Sequence, residues 1–298
     1  MKYLWGTTLL WAFSFSLIGV YLAGQVDAYF SVWTRTLLAF LVFLPFLLRS
    51  RTEIKTALKL CGIGALQLGC MYLFYYRSFL YLKVPEVLVF TIFTPVYVTL
   101  LSDFLDRHFS LSYLLTATLA VCGTAVIRYS GLSHNFVTGF LLVQGANICF
   151  ASGQVFYRRM LLKQEKQIPQ HTTFGYFFLG ALMVSSIAWV IFGGNAYPET
   201  SLQWGVLIWL GVGASGIGYF FWNRGATQVN TGALAIMNNA VIPLGLIVNL
   251  LLWNQSVNML RLVVGGSIIV LALLLNEWII RHRSKQAYAL KSATTKGV

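Results

Sequence analysis

Acidic residues are scarce: Asp and Glu together number 8 among 298 positions, and charged residues of all types make up only 10% of the chain. A water-soluble protein of this length cannot clothe its surface with so little charge. Cysteine occurs at Cys61, Cys70, Cys122 and Cys149, always inside an apolar run and never in a CxxC or Cys/His spacing. That pattern excludes a disulfide framework and a zinc site, so no metal is expected. The histidines, His108, His134, His171 and His282, fall at the ends of apolar runs or between them, and none neighbours a Cys or Ser that it could activate. Nucleophilic catalysis therefore has no residues to work with. No nucleotide-binding motif that would drive a pump is present either, and no cofactor is expected.

What the chain has instead is apolar length: 58% of residues are hydrophobic and the mean hydropathy is +0.73. Ten stretches stand out, at about 2–23, 28–48, 57–81, 85–103, 110–127, 138–159, 172–193, 201–222, 232–253 and 258–281. A hydrocarbon core of roughly 30 Å is crossed by about 20 helical residues, and lipid tolerates only backbone whose hydrogen bonds are closed. Each stretch is therefore expected to be a transmembrane helix, making this an all-α integral membrane protein with ten spans. The first span starts at the initiator Met1 with no small-residue cleavage site after it, so it is expected to be a permanent helix rather than a removed signal.

A net charge of +13 would suggest nucleic acid in a soluble protein; here its placement matters more, and no nucleic-acid partner is expected. Sixteen of the 21 Lys and Arg fall before span 1, in the links after spans 2, 4, 6 and 8, or in the tail. Lys83, Arg128 and Arg261 fall on the other side, and Arg35 and Arg77 lie within spans. Both termini are therefore expected in the cytoplasm, with the basic tail drawn to anionic membrane lipid.

The chain also repeats itself. A shift of 147 residues brings Gly64 onto Gly211, Gly69 onto Gly216, Tyr72 onto Tyr219, Tyr75 onto Trp222, Phe74 onto Phe221 and Arg77 onto Arg224. One residue out of phase Pro95 answers Pro243, and more loosely Trp11 and Ala12 face Phe150 and Ala151. The unit is five helices used twice, over residues 1–130 and 136–283, followed by a tail at 284–298. Because five is odd, the second copy enters the membrane from the opposite side, and the halves are inverted. Inverted halves around one midplane site are transporter architecture. Gly211, Gly213 and Gly216 also satisfy a GxGxxG spacing, but that motif needs a preceding strand, whereas these sit inside span 8 and are expected to serve close helix packing.

The ten spans, the doubled five-helix unit and the opening Trp11-Ala12-Phe13-Ser14-Phe15 resemble the EamA branch of the drug/metabolite transporter (DMT) superfamily over residues 1–283. The runs Leu10-Trp11-Ala12-Phe13-Ser14-Phe15-Ser16, Leu202-Gln203-Trp204-Gly205, Ala214-Ser215-Gly216-Ile217-Gly218-Tyr219-Phe220 and Ile236-Met237-Asn238-Asn239 are similar to those of the enterobacterial biotin permeases within it. This resemblance implies two inverted five-helix EamA-type repeats, a DMT fold, a bacterial inner-membrane location and uptake of biotin by one chain acting as a monomer. The family commonly has an acidic-basic pair after its fourth helix; Asp106-Arg107 supplies one, but Trp253-Asn254-Gln255 after span 9 does not.

In such transporters the first, third, fourth, sixth, eighth and ninth helices line the cavity. Those spans here carry Trp11, Ser14, Gln67, Tyr72, Thr91, Thr94, Tyr97, Gln144, Asn147, Tyr219, Trp222, Asn223, Asn238 and Asn239. Biotin presents an apolar bicyclic ring, a ureido group and a carboxylate. Trp11, Tyr72 and Trp222 could wall the ring, and Asn147, Asn238 or Asn239 could meet the ureido group. Arg77 is the leading candidate for the carboxylate, with helix-end anchoring as its alternative. Arg35, which has no basic counterpart in span 7, and Glu86, beside Pro85 at a helix start, are candidates for coupling or gating. For Glu86 a structural ion pair is favoured over proton coupling. Two other functions stay open: an EamA-type exporter of amino acids or related metabolites, and an intramembrane lipid-modifying enzyme.

Overall fold

The computed structural model describes residues 2–50, 52–107, 134–162, 169–229 and 231–253, with isolated positions between 260 and 278. Among the described residues seven helices are long and apolar enough to cross a membrane: α1 (Lys2–Leu22), α2 (Ala28–Leu48), α3 (Ile54–Ser78), α4 (Val84–Leu105), α5 (Asn135–Leu161), α6 (Gln170–Phe192) and α7 (Ser201–Ala226). An eighth, α8 (Thr231–Trp253), follows. They coincide with expected spans 1–4 and 6–9. The expected span at 110–127, most of that at 258–281 and the tail at 284–298 lie outside the described residues.

Large apolar side chains such as Leu48, Val190 and Leu251 are more than three-quarters exposed. In water that would be costly; against lipid tails it is the expected outer surface of a bundle. Polar caps close the helix ends. Asp27 accepts the Phe30 N–H at 2.7 Å to start α2, and at α7 the Thr200 hydroxyl accepts the Gln203 N–H while the Gln203 amide oxygen accepts the Thr200 N–H. This reciprocal pair is a capping box.

Two compact units divide the chain: Met1–Leu101 with Ser133–Ser256, and Ser102–Leu132 with Val257–Val298. The second is largely outside the described residues. Within the first, helix contacts come in related pairs. α3 packs on α6 as α7 packs on α2, α3 on α5 as α7 on α1, and α4 on α5 as α8 on α1. Each pair consists of one contact and its equivalent after exchange of the two halves of the sequence.

The repeated glycines sit at these contacts. A Cβ on Gly64 would collide with the Phe177 backbone of α6, and one on its counterpart Gly211 would come within 2.7 Å of Leu38 on α2. A hydrogen where other residues carry a Cβ lets two backbones approach without a side chain between them. Both regions also loosen into wider π-helical turns, at Ala65–Cys70 and Trp209–Ile217, the kind of irregularity often found at functional sites.

α4 is broken differently. Pro95 has no N–H to give the Thr91 carbonyl, and a 3₁₀ turn at Thr91–Phe93 precedes it. The 3₁₀ turn gives Thr91 O the Thr94 N–H in place of the missing one, and side chains add donors at the break: the Thr94 hydroxyl lies 2.8 Å from Thr91 O and the Asn147 amide, from α5, donates to Phe90 O at 2.8 Å. In lipid such substitutes are obligatory.

Two stability outcomes are expected, both readable as thermal unfolding in detergent. Gly64→Ala is destabilising by at least about 1–3 kcal/mol, whereas Gly62→Ala, where a Cβ meets nothing within 4 Å, is neutral or slightly stabilising. Asn147→Ala costs about 1–3 kcal/mol because it removes a buried amide that bonds both the Phe90 carbonyl and Gln144.

Candidate substrate cavity

A cavity with about 100 Å³ open to the centres of water-sized molecules lies inside the first unit. α1 contributes Trp11, Ser14, Phe15 and Ile18, a set at i, i+3, i+4 and i+7 that makes one helix face. α3 adds Met71, Tyr72 and Tyr75, α4 adds Thr91 and Thr94, and α5 adds Ala146, Asn147 and Phe150. Tyr219 and Trp222 of α7, Met237, Asn238 and Val241 of α8, and Arg35 of α2 complete the lining.

One wall is a group of aromatic rings. Trp11 lies 5.0 Å from Tyr219 and 5.0 Å from Trp222, centroid to centroid, and 6.0 Å edge-on from Phe150. Its indole N–H is spent on the Ala214 carbonyl at 2.9 Å, inside the loosened stretch of α7. Trp11 is thereby fixed in orientation, with its ring left as an apolar face. Repeat counterparts meet here: Trp11 touches Phe150, and Tyr72 meets Tyr219 edge-on at 5.9 Å.

Opposite in chemistry is Arg35, only 2% exposed. Its Nε donates to Ser215 Oγ at 3.0 Å, Nη1 to Tyr76 Oη at 3.0 Å and Nη2 to Tyr72 Oη at 2.7 Å. Tyr72 Oη and Ser215 Oγ share a further bond of 2.8 Å. The guanidinium also lies over the Tyr72 ring, 4.2 Å from its centroid, a favourable cation–π contact. A cation in hydrocarbon is costly by several kcal/mol, so such a web of neutral partners is needed to hold it at all.

Of the residues singled out from the sequence, Trp11, Ser14, Tyr72, Thr91, Thr94, Asn147, Tyr219, Trp222 and Asn238 line the cavity, and Arg35 joins them. Others lie elsewhere. Arg77 is not among the lining; its guanidinium sits 5.7 Å from the centroid of the Tyr29 ring, and its counterpart Arg224 stands over Tyr3 at 5.1 Å. Both are the last-turn basic residues of their helices, which suits anchoring there. Gln67 and Asn223 bond each other at 3.2 Å, joining α3 to α7. Tyr97 donates to Gln144 at 3.2 Å, joining α4 to α5.

Asn147 does line the cavity, but both N–H groups of its amide are spent, one on Phe90 O and one on Gln144 Oε1, and its oxygen lies 3.2 Å from the Thr94 hydroxyl. It braces the break in α4 and has little left for a ligand. Glu86 is buried at the start of α4, where its carboxylate accepts the Lys83 N–H at 3.0 Å, outside the cavity lining. The side chain of Asn239 lies outside the described residues. No cluster of His, Cys, Asp and Glu able to hold a metal occurs among the described residues.

Reading from the sequence missed Phe15, Ile18, Met71, Tyr75, Ala146, Phe150, Met237 and Val241. Two signals were available: the one-turn spacing from Trp11, and the repeat, which pairs Tyr75 with Trp222 and Phe150 with Trp11. Apolar residues at such positions also fit lipid contact, so spacing alone does not separate the two faces.

Comparison with known proteins agrees with this architecture. A curated protein of Pseudomonas aeruginosa named "Probable biotin transporter" is 51% identical over 93% of this chain and 97% of its own length. The biotin transporter of Escherichia coli K12 is 48% identical over 94% of each chain. The aromatic amino acid exporter YddG of Ancylobacter novellus is 25% identical over 60% of this chain and 61% of its own. A solved crystal structure matches with a TM-score of 0.67 at 18% identity, over 93% of this chain and 96% of that one; this likeness concerns the fold alone. The model of the EamA-like transporter family matches twice, at residues 2–129 and 137–277. With several helices long and apolar enough to cross a membrane and a family match over most of its length, the chain is a multi-pass membrane protein and belongs to the EamA-like transporter family.

Proposed function

We propose that this protein imports biotin across the bacterial inner membrane by alternating access, with the described cavity as its substrate site. Relatives named as biotin transporters resemble it at 47–51% identity along more than nine-tenths of its length. The observation that carries the reading is the ring wall of Trp11, Phe150, Tyr219 and Trp222 in a cavity that also holds an amide and a cation. Flat rings suit biotin's bicyclic ring. The Asn238 amide can give and accept a hydrogen bond, as a ureido group requires.

In this reading the chain has ten spans in two inverted five-helix halves, residues 1–130 and 136–283, with both termini in the cytoplasm. The paired helix contacts and the meeting of Trp11 with Phe150 and of Tyr72 with Tyr219 support an exchange axis through the cavity. Rocking of one half against the other around that axis would expose the site alternately to each side. In this reading the transport unit is a monomer. Glu86 belongs to the helix start rather than to energy coupling, since its carboxylate is engaged by the Lys83 N–H.

A second reading, export of aromatic amino acids, is favoured only by the partial match to the Ancylobacter exporter. Proteoliposomes containing this protein alone distinguish the two. They are expected to take up labelled biotin, with unlabelled biotin competing and Trp, Phe and Leu failing to compete; equal competition by the amino acids would reject the biotin reading. Trp222→Leu should raise the KM for biotin by about 5–30-fold, the loss of an aromatic contact worth roughly 1–2 kcal/mol. Glu86→Gln should keep gradient-driven accumulation; loss of accumulation with exchange intact would make Glu86 a coupling group. A cysteine introduced at Lys163 should react with an impermeant reagent only from the cytoplasmic face.

A further inference from the structure

We infer that Arg35 is the receptor for the substrate's carboxylate, and that it makes an anionic group a requirement for binding. This rests on the reading of the cavity as a biotin site and names the residue that would select the acid over its neutral analogues.

Arg35 is a cation that lines the cavity and is otherwise shut away from solvent. Its hydrogen-bond partners are three hydroxyls, those of Tyr72, Tyr76 and Ser215, which orient the guanidinium without cancelling its charge. Among the described residues that line the cavity there is no Asp or Glu. A guanidinium has five N–H donors, and the three bonds to hydroxyls use one on Nε, one on Nη1 and one on Nη2. One donor on each terminal nitrogen remains. A carboxylate takes two such donors in a fork and brings the opposite charge into a medium of low dielectric, where the attraction is strong.

The guanidinium is also held from two helices other than its own, since Ser215 belongs to α7 and the two tyrosines to α3. A fork fixed in this way loses little freedom when the anion arrives. Arg77, the carboxylate candidate suggested by the sequence, stands over Tyr29 outside the cavity lining and is not positioned for this role.

The test is competition binding on the full-length protein in lipid nanodiscs, with labelled biotin displaced by biotin, biotinamide or biotinol. Wild type should prefer biotin to either neutral analogue by about 100-fold, the scale of losing one member of a buried charge pair. Arg35→Gln should weaken biotin by a similar factor while leaving the neutral analogues within about threefold, read by direct calorimetry. Arg35→Lys, which keeps the charge but loses the fork, should fall between. Arg77→Gln should leave the preference unchanged.

A wild type that binds acid and amide alike, an Arg35→Gln that weakens both equally, or an Arg77→Gln that alone abolishes the preference would overturn the assignment. If Arg35→Gln does not fold, Tyr76→Phe serves instead: it removes one orienting bond, and the preference for biotin should fall several-fold; an unchanged preference overturns the assignment. A wild type that binds neither biotin nor its analogues rejects the biotin reading and this assignment with it, whereas wild-type binding without selectivity rejects only the latter.

Discussion

A guanidinium kept inside a membrane bundle by neutral hydroxyls constrains everything around it. Arg35 ties α2 to α3 through Tyr72 and Tyr76 and to α7 through Ser215. Removing those hydroxyls would leave a charge in a low-dielectric interior, so the three helices are held in register by the cost of exposing it. Both tyrosine rings face the cation, and that of Tyr72 also lines the cavity and meets Tyr219 edge to face. One polar cluster thus joins helix packing to the shape of the site.

Around that cluster the helices are irregular where the cavity needs them to be. Ser215 and the Ala214 carbonyl that receives Trp11 both lie in the loosened stretch of α7. Thr91 and Thr94 line the cavity at the break in α4 that Pro95 enforces. A regular helix offers lipid or solvent no backbone groups, and a broken one must find them partners. Thr94 and Asn147 are those partners, and so they are structural members of a functional wall.

The relation between the halves has a physical basis in small residues. Gly64 and Gly211 occupy equivalent places and allow equivalent close approaches, one to α6 and one to α2. A larger side chain at either would push one helix pair apart and leave the other unchanged, so equivalence of the two surfaces depends on both. A transporter that exchanges between two states around one site needs such matched surfaces, because each state uses in one half the contact that the other uses in its counterpart.

Much was legible in the amino-acid order. Apolar runs of bilayer length, the spacing of the glycines and the aromatic pairs at a shift of 147 residues are local or periodic signals, and burying backbone in lipid leaves helices as the economical answer. The choice between Arg35 and Arg77 was not legible. Both are arginines in apolar runs, and the repeat drew attention to Arg77, whose counterpart Arg224 shares its place at a helix end. Nor could the order of residues reveal that Gln67 and Asn223 spend their amides on each other, or that Asn147 serves a carbonyl released by a break in another helix. Composition and periodicity determined that the chain would be a bundle of membrane helices; the rotation of each helix about its own axis, set by packing among all of them, decided which polar groups face the cavity and which are consumed in holding it together.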